Sequence, residues 1–130
     1  MRRFVEAVNS RDHDALEAFV APSFTRHCPA TPDVVVRSLA DFRRFLQQDL
    51  ATFPDSVVTL EKLIAEGDCV AFWASYSGTQ TGPMGPFPAS GRRVTGPFAG
   101  YFRLEDGRIT ELFVTWDNVD LLTQLGHFDA

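Results

Sequence analysis

The residues able to do chemistry are few and scattered. Three histidines, His13, His27 and His127, never fall at His-x-His or His-x-x-x-His spacing, so the sequence offers no metal site. Cys28 and Cys69 lie far apart in apolar sequence and make neither a Cys-x-x-Cys pair nor a disulfide framework, which fits a reduced, cytoplasmic protein. No Gly-x-Ser-x-Gly elbow presents a serine nucleophile. No Gly-x-Gly-x-x-Gly or Gly-x-x-x-x-Gly-Lys loop could cradle a phosphate, which disfavours nucleotide cofactors. What remains are single acid–base and hydrogen-bonding groups: Asp117, His27, Tyr76 and Gln80. On its own residues Asp117 reads as the N-cap of a short last helix, and His27 as a partly exposed histidine ending a segment before Cys28-Pro29.

These side chains must be held by elements that the sequence marks clearly. Phe4, Val5 and Val8 recur at helical spacing before Asn9-Ser10-Arg11-Asp12, which stops one helix and can cap a second. The second helix carries Leu16, Phe19 and Val20 on one stripe and is expected to end at Pro22, because proline disfavours helix in the residue before it. Residues 24–27 read as a brief extended piece. Ser38 and Asp41 form a capping-box-like start for a third helix over 39–51, striped by Leu39, Phe42, Phe45, Leu46 and Leu50 and stopped by Phe53-Pro54-Asp55.

After Asp55 the period changes. Residues 56–66, 69–80, 94–104 and 109–118 are rich in β-branched and aromatic side chains, which predicts four strands. Glu66-Gly67-Asp68 and Glu105-Asp106-Gly107-Arg108 are tight turns, the second with the Asp-Gly pair that type I′ hairpins favour, so the strands should form an antiparallel meander. Thr81-Gly82-Pro83-Met84-Gly85-Pro86-Phe87-Pro88 holds three prolines, cannot keep a ladder, and reads as a wide, lid-like loop. Asp117-Asn118 leads into Val119, Leu121, Leu122 and Leu125, a short helix with Gly126 as its C-cap. In the second strand, alternation puts Phe72, Ala74, Tyr76, Gly78 and Gln80 on one face and Trp73 on the other.

Helices first and a meander after predict an α+β layer architecture, with the third helix on the concave face of a curved sheet. Such a cone keeps an apolar cavity at its open end, where a few polar groups choose the ligand. At 130 residues, 45% apolar and 22% charged, with twelve Phe, the chain reads as one domain over 1–130 with a real core. A net charge of −5 opposes phosphate backbones and anionic lipid, so nucleic acid is not an expected partner. No apolar run reaches the ~18 residues of a membrane span, and Met1-Arg2-Arg3-Phe4 is not followed by a signal-peptide core.

Asn9-Ser10-Arg11-Asp12, Ala15-Leu16-Glu17, His27, Asp41-Phe42 and Phe53-Pro54-Asp55 carry a further signal in their order and spacing, continued by Gly67-Asp68, Gly78-Thr79-Gln80-Thr81-Gly82, Gly91-Arg92-Arg93-Val94, Phe102-Arg103-Leu104, Asp106-Gly107-Arg108-Ile109 and Trp116-Asp117. Across nearly the whole chain they resemble the SnoaL-like polyketide cyclase family of the nuclear-transport-factor-2-like (NTF2-like) superfamily. The resemblance implies an NTF2-like cone: N-terminal helices packed on a curved antiparallel sheet of about four to six strands, with a short C-terminal helix. It implies that an Asp at the end of the last long strand, matched by Asp117, serves as acid and base in a cofactor-free intramolecular aldol closure.

A pocket histidine after the second helix is matched by His27. Burial among Phe, Trp and Val would raise the pKa of Asp117 and strengthen it as a base. Tyr76 and Gln80 are then expected to donate to an enolate oxygen, with Phe42, Phe98, Phe102 and Phe113 as apolar wall and Gly100 leaving room for a ring system. Leu112 departs from the family, which carries a His there. The first helix starts a turn or two late, so a frayed N-terminus is expected. The implied activity is aldol-type cyclisation or isomerisation of an apolar, oxygenated small molecule such as a polyketide; the same cone also serves dehydratases, epoxide hydrolases and non-catalytic binders. The family's habit of pairing sheets implies a homodimer through the outer face that includes Trp73.

Overall fold

A computed structural model describes residues 2–128. Four long strands, β2 (Val57–Glu66), β3 (Cys69–Thr79), β4 (Arg93–Glu105) and β5 (Arg108–Trp116), follow one another as the predicted antiparallel meander. At the β4–β5 turn Asp106 and Gly107 both take positive φ, 51° and 77°, as a type I′ hairpin demands. A fifth strand, β1 (Val20–His27), lies at the sheet edge and runs parallel to β5, giving the order β1-β5-β4-β3-β2. The expected extended piece over 24–27 is therefore the end of a strand twice as long.

The second helix is corrected by the same strand. It is only a 3-10 helix, His13–Ala18, and the chain is extended from Val20 onward. Pro22 sits inside β1, in the stretch between Val20 and Thr25 where the pairing with β5 shifts register; an edge strand with a bulge tolerates a missing donor. Leu16, Val20 and Phe24 are all fully buried, a spacing of four that satisfies a helix stripe and, across a bulged strand, the inner face of a sheet equally well. The expected fraying of the N-terminus touches Met1, outside the described residues; α1 (Arg2–Ser10) is helical from Arg2.

α2 (Leu39–Thr52) starts as predicted. Ser38 Oγ accepts from the Asp41 backbone N–H at 3.0 Å, and the Asp41 carboxylate accepts from the Arg37 N–H at 3.1 Å. Its inner face meets α1 and the concave side of the sheet through an aromatic cluster: ring centroids lie 5.7 Å apart for Phe4 and Phe42, 4.9 Å for Phe24 and Phe42, and 5.0 Å for Phe4 and Phe102. Each such pair adds roughly 0.5–1.5 kcal/mol beyond its buried area. α1 is fastened to the sheet by Asn9, whose side-chain amide both donates to Val58 O (2.8 Å) and accepts from Val58 N (2.9 Å), as another strand would. Arg11, at φ 65°, reaches Pro54 O and Ser56 O across the end of α2. A short α3 (Asn118–Gln124) closes the chain.

Candidate active site

Between α1, α2 and the concave face of the sheet lies a cavity of about 570 Å³, bordered on its other sides by Thr31 and Val34, by the loop residues Pro83 to Gly85, and by the start of α3. Phe42, Phe98 and Phe102 line it, together with Phe45, Phe72, Leu112, Val114 and Trp116. Against these apolar walls stand a few polar groups, and two of them face each other. Asp49 comes from the last turns of α2, Tyr76 from β3, and the Tyr76 hydroxyl donates to Asp49 Oδ2 at 2.9 Å. Packing of protein around Asp49 pushes its carboxyl above the ordinary Asp value, opposed first by the Tyr76 hydrogen bond and then by the charges of Arg26 and Arg11. Burial, reinforced by the Asp49 charge, raises the Tyr76 phenol, so it stays a hydroxyl donor. The edge-on ring of Phe53, 5.7 Å away, packs against that phenol.

Asp49 is the functional candidate that the sequence reading passed over. The signal was present: Phe42, Phe45, Leu46 and Asp49 fall at i, i+3, i+4 and i+7, so a carboxylate occupies the apolar stripe of the helix. Arg26 was passed over in favour of its neighbour. Alternation along β1 turns Phe24 and Arg26 inward, and Arg26 is 8% exposed, its guanidinium 4.3 Å from the Phe45 ring centroid and 5.7 Å from that of Trp116. His27, one residue on, points the other way. It stacks on Phe113 at 4.4 Å, its Nε2 lies 3.0 Å from Glu111 Oε2, and it does not line the cavity.

The remaining expectations divide by strand phase. Phe113 pairs with Tyr101 on the outer face, their rings stacked at 4.5 Å, because β5 sends Leu112, Val114 and Trp116 inward instead. Gly100 leaves no space in the cavity: a Cβ there would lie 1.8 Å from Phe113 O and 2.8 Å from its carbonyl carbon, so the missing side chain admits the neighbouring strand. Gln80 is fully buried and committed elsewhere, its Nε2 donating to Pro88 O (3.2 Å) and its Oε1 2.6 Å from His127 Nε2. Asp117 reaches the cavity from its rim. It is exposed, not buried as anticipated, and its Oδ1 caps α3 by accepting from the Asp120 N–H at 3.0 Å. Among the described residues no group of three or more His, Cys, Asp or Glu is placed to hold a metal ion, and no helix is long and apolar enough to cross a membrane.

A curved five-stranded sheet with helices across its concave face, enclosing one apolar cavity with an internal carboxylate, defines an α+β cone of the NTF2-like kind. The chain belongs to the SnoaL-like polyketide cyclase family, whose model matches residues 1–125. Among solved structures it is similar to TsrD from Streptomyces laurentii, at 31% identity and a TM-score of 0.87 over 98% of this chain and 92% of that one. It is also similar to IdmH from Streptomyces antibioticus, a candidate polyketide cyclase, at 32% identity and a TM-score of 0.80 over 94% and 92%. A protein of ketosteroid-isomerase-like fold from Catenulispora acidiphila, 20% identical with a TM-score of 0.81 over 95% and 88%, shares the fold alone. No curated protein matches.

Proposed function

We propose that this protein is a cofactor-free enzyme that moves a proton at carbon, closing or isomerising an apolar, oxygenated small molecule of polyketide type. The observation that carries this reading is the Asp49–Tyr76 pair set into an apolar cavity of about 570 Å³. A carboxylate removes a proton from carbon near neutral pH only when its basicity is raised and flanking carbonyls acidify the carbon; burial supplies the first and a β-dicarbonyl substrate the second. Tyr76 occupies Oδ2 and leaves Oδ1 to take the proton. In an aldol closure the enolate carbon then attacks a second carbonyl of the same molecule. The new alkoxide recovers the proton from Asp49, so atoms and charge balance without a redox partner.

Asp117 is the second carboxylate, favoured by its match to the family's acid–base position and by its place on the cavity rim. Its cap engages Oδ1 only. Deuterium exchange at the central methylene of an uncharged 1,3-diketone separates the two, since exchange needs proton transfer but no ring closure. Asp49→Asn should slow exchange by the ~10²–10⁴ that an acid–base group contributes, while Asp117→Asn leaves it near wild type. The reverse result moves the chemistry to Asp117. Exchange no faster than in buffer, from a wild type that binds the diketone, makes the protein a non-catalytic binder. For the outer face the partner is a second copy of this chain, because Trp73 is 50% exposed on the side of the sheet away from the helices.

A further inference from the structure

From the position of Arg26 we infer that the ligand of this cavity carries a carboxylate, held edge-on by the Arg26 guanidinium. Arg26 is more than nine-tenths buried, lines the cavity, and among the described residues forms no salt bridge; its side-chain partner is the thiol of Cys28, a weak acceptor. An arginine has five N–H donors and stays charged in any protein setting. Taking that charge from water without an anion is costly, and the usual resolution is a partner in the plane of the fork, where a carboxylate accepts two parallel bonds. Phe45 and Trp116 supply aromatic surface near the guanidinium, but rings offer nothing to the N–H groups at its edge.

Asp49 does not fill the vacancy. It makes no ion pair with Arg26, and one of its oxygens is taken by Tyr76. A second polar atom without a partner belongs to another residue of the lining. Thr31 Oγ1 is buried with no hydrogen-bond partner, and its loop is tied in place where the Asn118 side chain donates to Ala30 O and accepts from the Trp116 indole at 2.8 Å. A buried cation with no anionic partner, in a cavity lined mostly by rings and aliphatic chains, matches an apolar skeleton ending in an acid. An enolate formed at Asp49 would be too transient to offset the burial of Arg26 in the resting complex; a permanent carboxylate is not. The inference shares with the proposed function only the assumption that the ligand sits in this cavity.

The test compares an aromatic acid with its neutral ester, using naphthoate and methyl naphthoate titrated into the full chain by calorimetry. The wild type should bind the acid about tenfold tighter than the ester or better, the least that a charge-assisted contact supplies. Arg26→Gln should erase that preference while leaving ester binding in place. Arg26→Lys, which keeps the charge and loses the fork, should keep only part of it. Equal binding of acid and ester by the wild type overturns the inference whether or not the variants fold, and so does an acid preference that survives Arg26→Gln. Exchange on the uncharged diketone reports separately on the chemistry. If Arg26→Gln loses exchange while the wild type shows no acid preference, Arg26 serves the reacting oxygen and the carboxylate reading is wrong, with the proton-transfer reading intact.

Discussion

At the scale of single residues, the site turns on one acid in an unfavourable place. The pKa of Asp49 is raised in the folded protein by burial, so the native state holds its proton at pH values where the unfolded chain has released it. Its contribution to stability is therefore greatest below the ordinary Asp pKa of 3.8 and falls as pH rises toward the elevated folded value. Asp49→Asn, which keeps the shape without the charge, should be more stable than wild type at neutral pH, the gain shrinking to nothing in acid; paired urea titrations would show it, and a variant less stable at neutral pH would contradict it. The hydroxyl of Tyr76 favours the charged form of Asp49, so Tyr76→Phe raises that pKa further. If ionised Asp49 is the base, the rising limb of the pH–rate profile should move to higher pH in Tyr76→Phe, and an unmoved limb would assign it to another group. The sequence exposed Tyr76 because strand period fixes which face a residue takes. It hid Asp49 because a carboxylate in the last turn of a helix looks solvated until the stripe is counted, and it offered His27 in place of Arg26 because the family match put a histidine in the pocket where the period of two turns Arg26 inward.

At the scale of elements, the meander and α2 were legible almost to the residue, since caps, turn glycines and alternation all agree there. The edge strand was not, because an apolar spacing of four serves both periods and a proline such as Pro22 can stop a helix or sit in an edge strand. The 81–92 loop shows how Gln80, a polar side chain expected to meet substrate, holds the loop in place instead. Thr52 Oγ1 donates to Pro83 O at 3.0 Å, the Thr81 and Gly82 N–H groups both donate to Thr52 O, and on the far side Gln80 joins Pro88 to His127, whose ring lies 5.0 Å from Phe87. Gln80→Leu leaves Pro88 O and the His127 ring without that partner. It should cost about 1–3 kcal/mol and speed amide exchange across 81–92 ahead of the rest of the chain. Uniform exchange in the variant would mean that the loop is held by α2 alone. Gly100→Ala tests the sheet itself: with backbone 1.8 Å from the added carbon, β4 and β5 have to part, and a loss of at least ~2 kcal/mol in chemical denaturation is expected. A neutral Gly100→Ala would show that β5 can yield at that point.

At the scale of the whole molecule, the sheet separates two surfaces that share strands but not residues. The inner one forms the cavity. On the outer one His27, Phe113 and Tyr101 stack in a row, and Trp73, Ile64 and Val57 stand exposed across β3 and β2. Strand period ensures that a change on one face leaves the other's side chains in place, so assembly and chemistry should be separable by mutation. A two-fold pairing of this face would bring each aromatic row against its copy, and an interface of the usual ~800 Å² per partner spans much of a five-stranded sheet. Sedimentation at micromolar concentration should therefore give the mass of a dimer, and Trp73→Glu, which sets two like charges against an apolar partner, should give a monomer. The monomer should retain its far-ultraviolet circular dichroism and exchange deuterium into the diketone at the wild-type rate, because Trp73 touches nothing in the cavity. A wild type that sediments as a monomer would remove the dimer. A Trp73→Glu monomer that folds but has lost exchange would instead mean that pairing shapes the cavity through the sheet, and that the two faces are not independent.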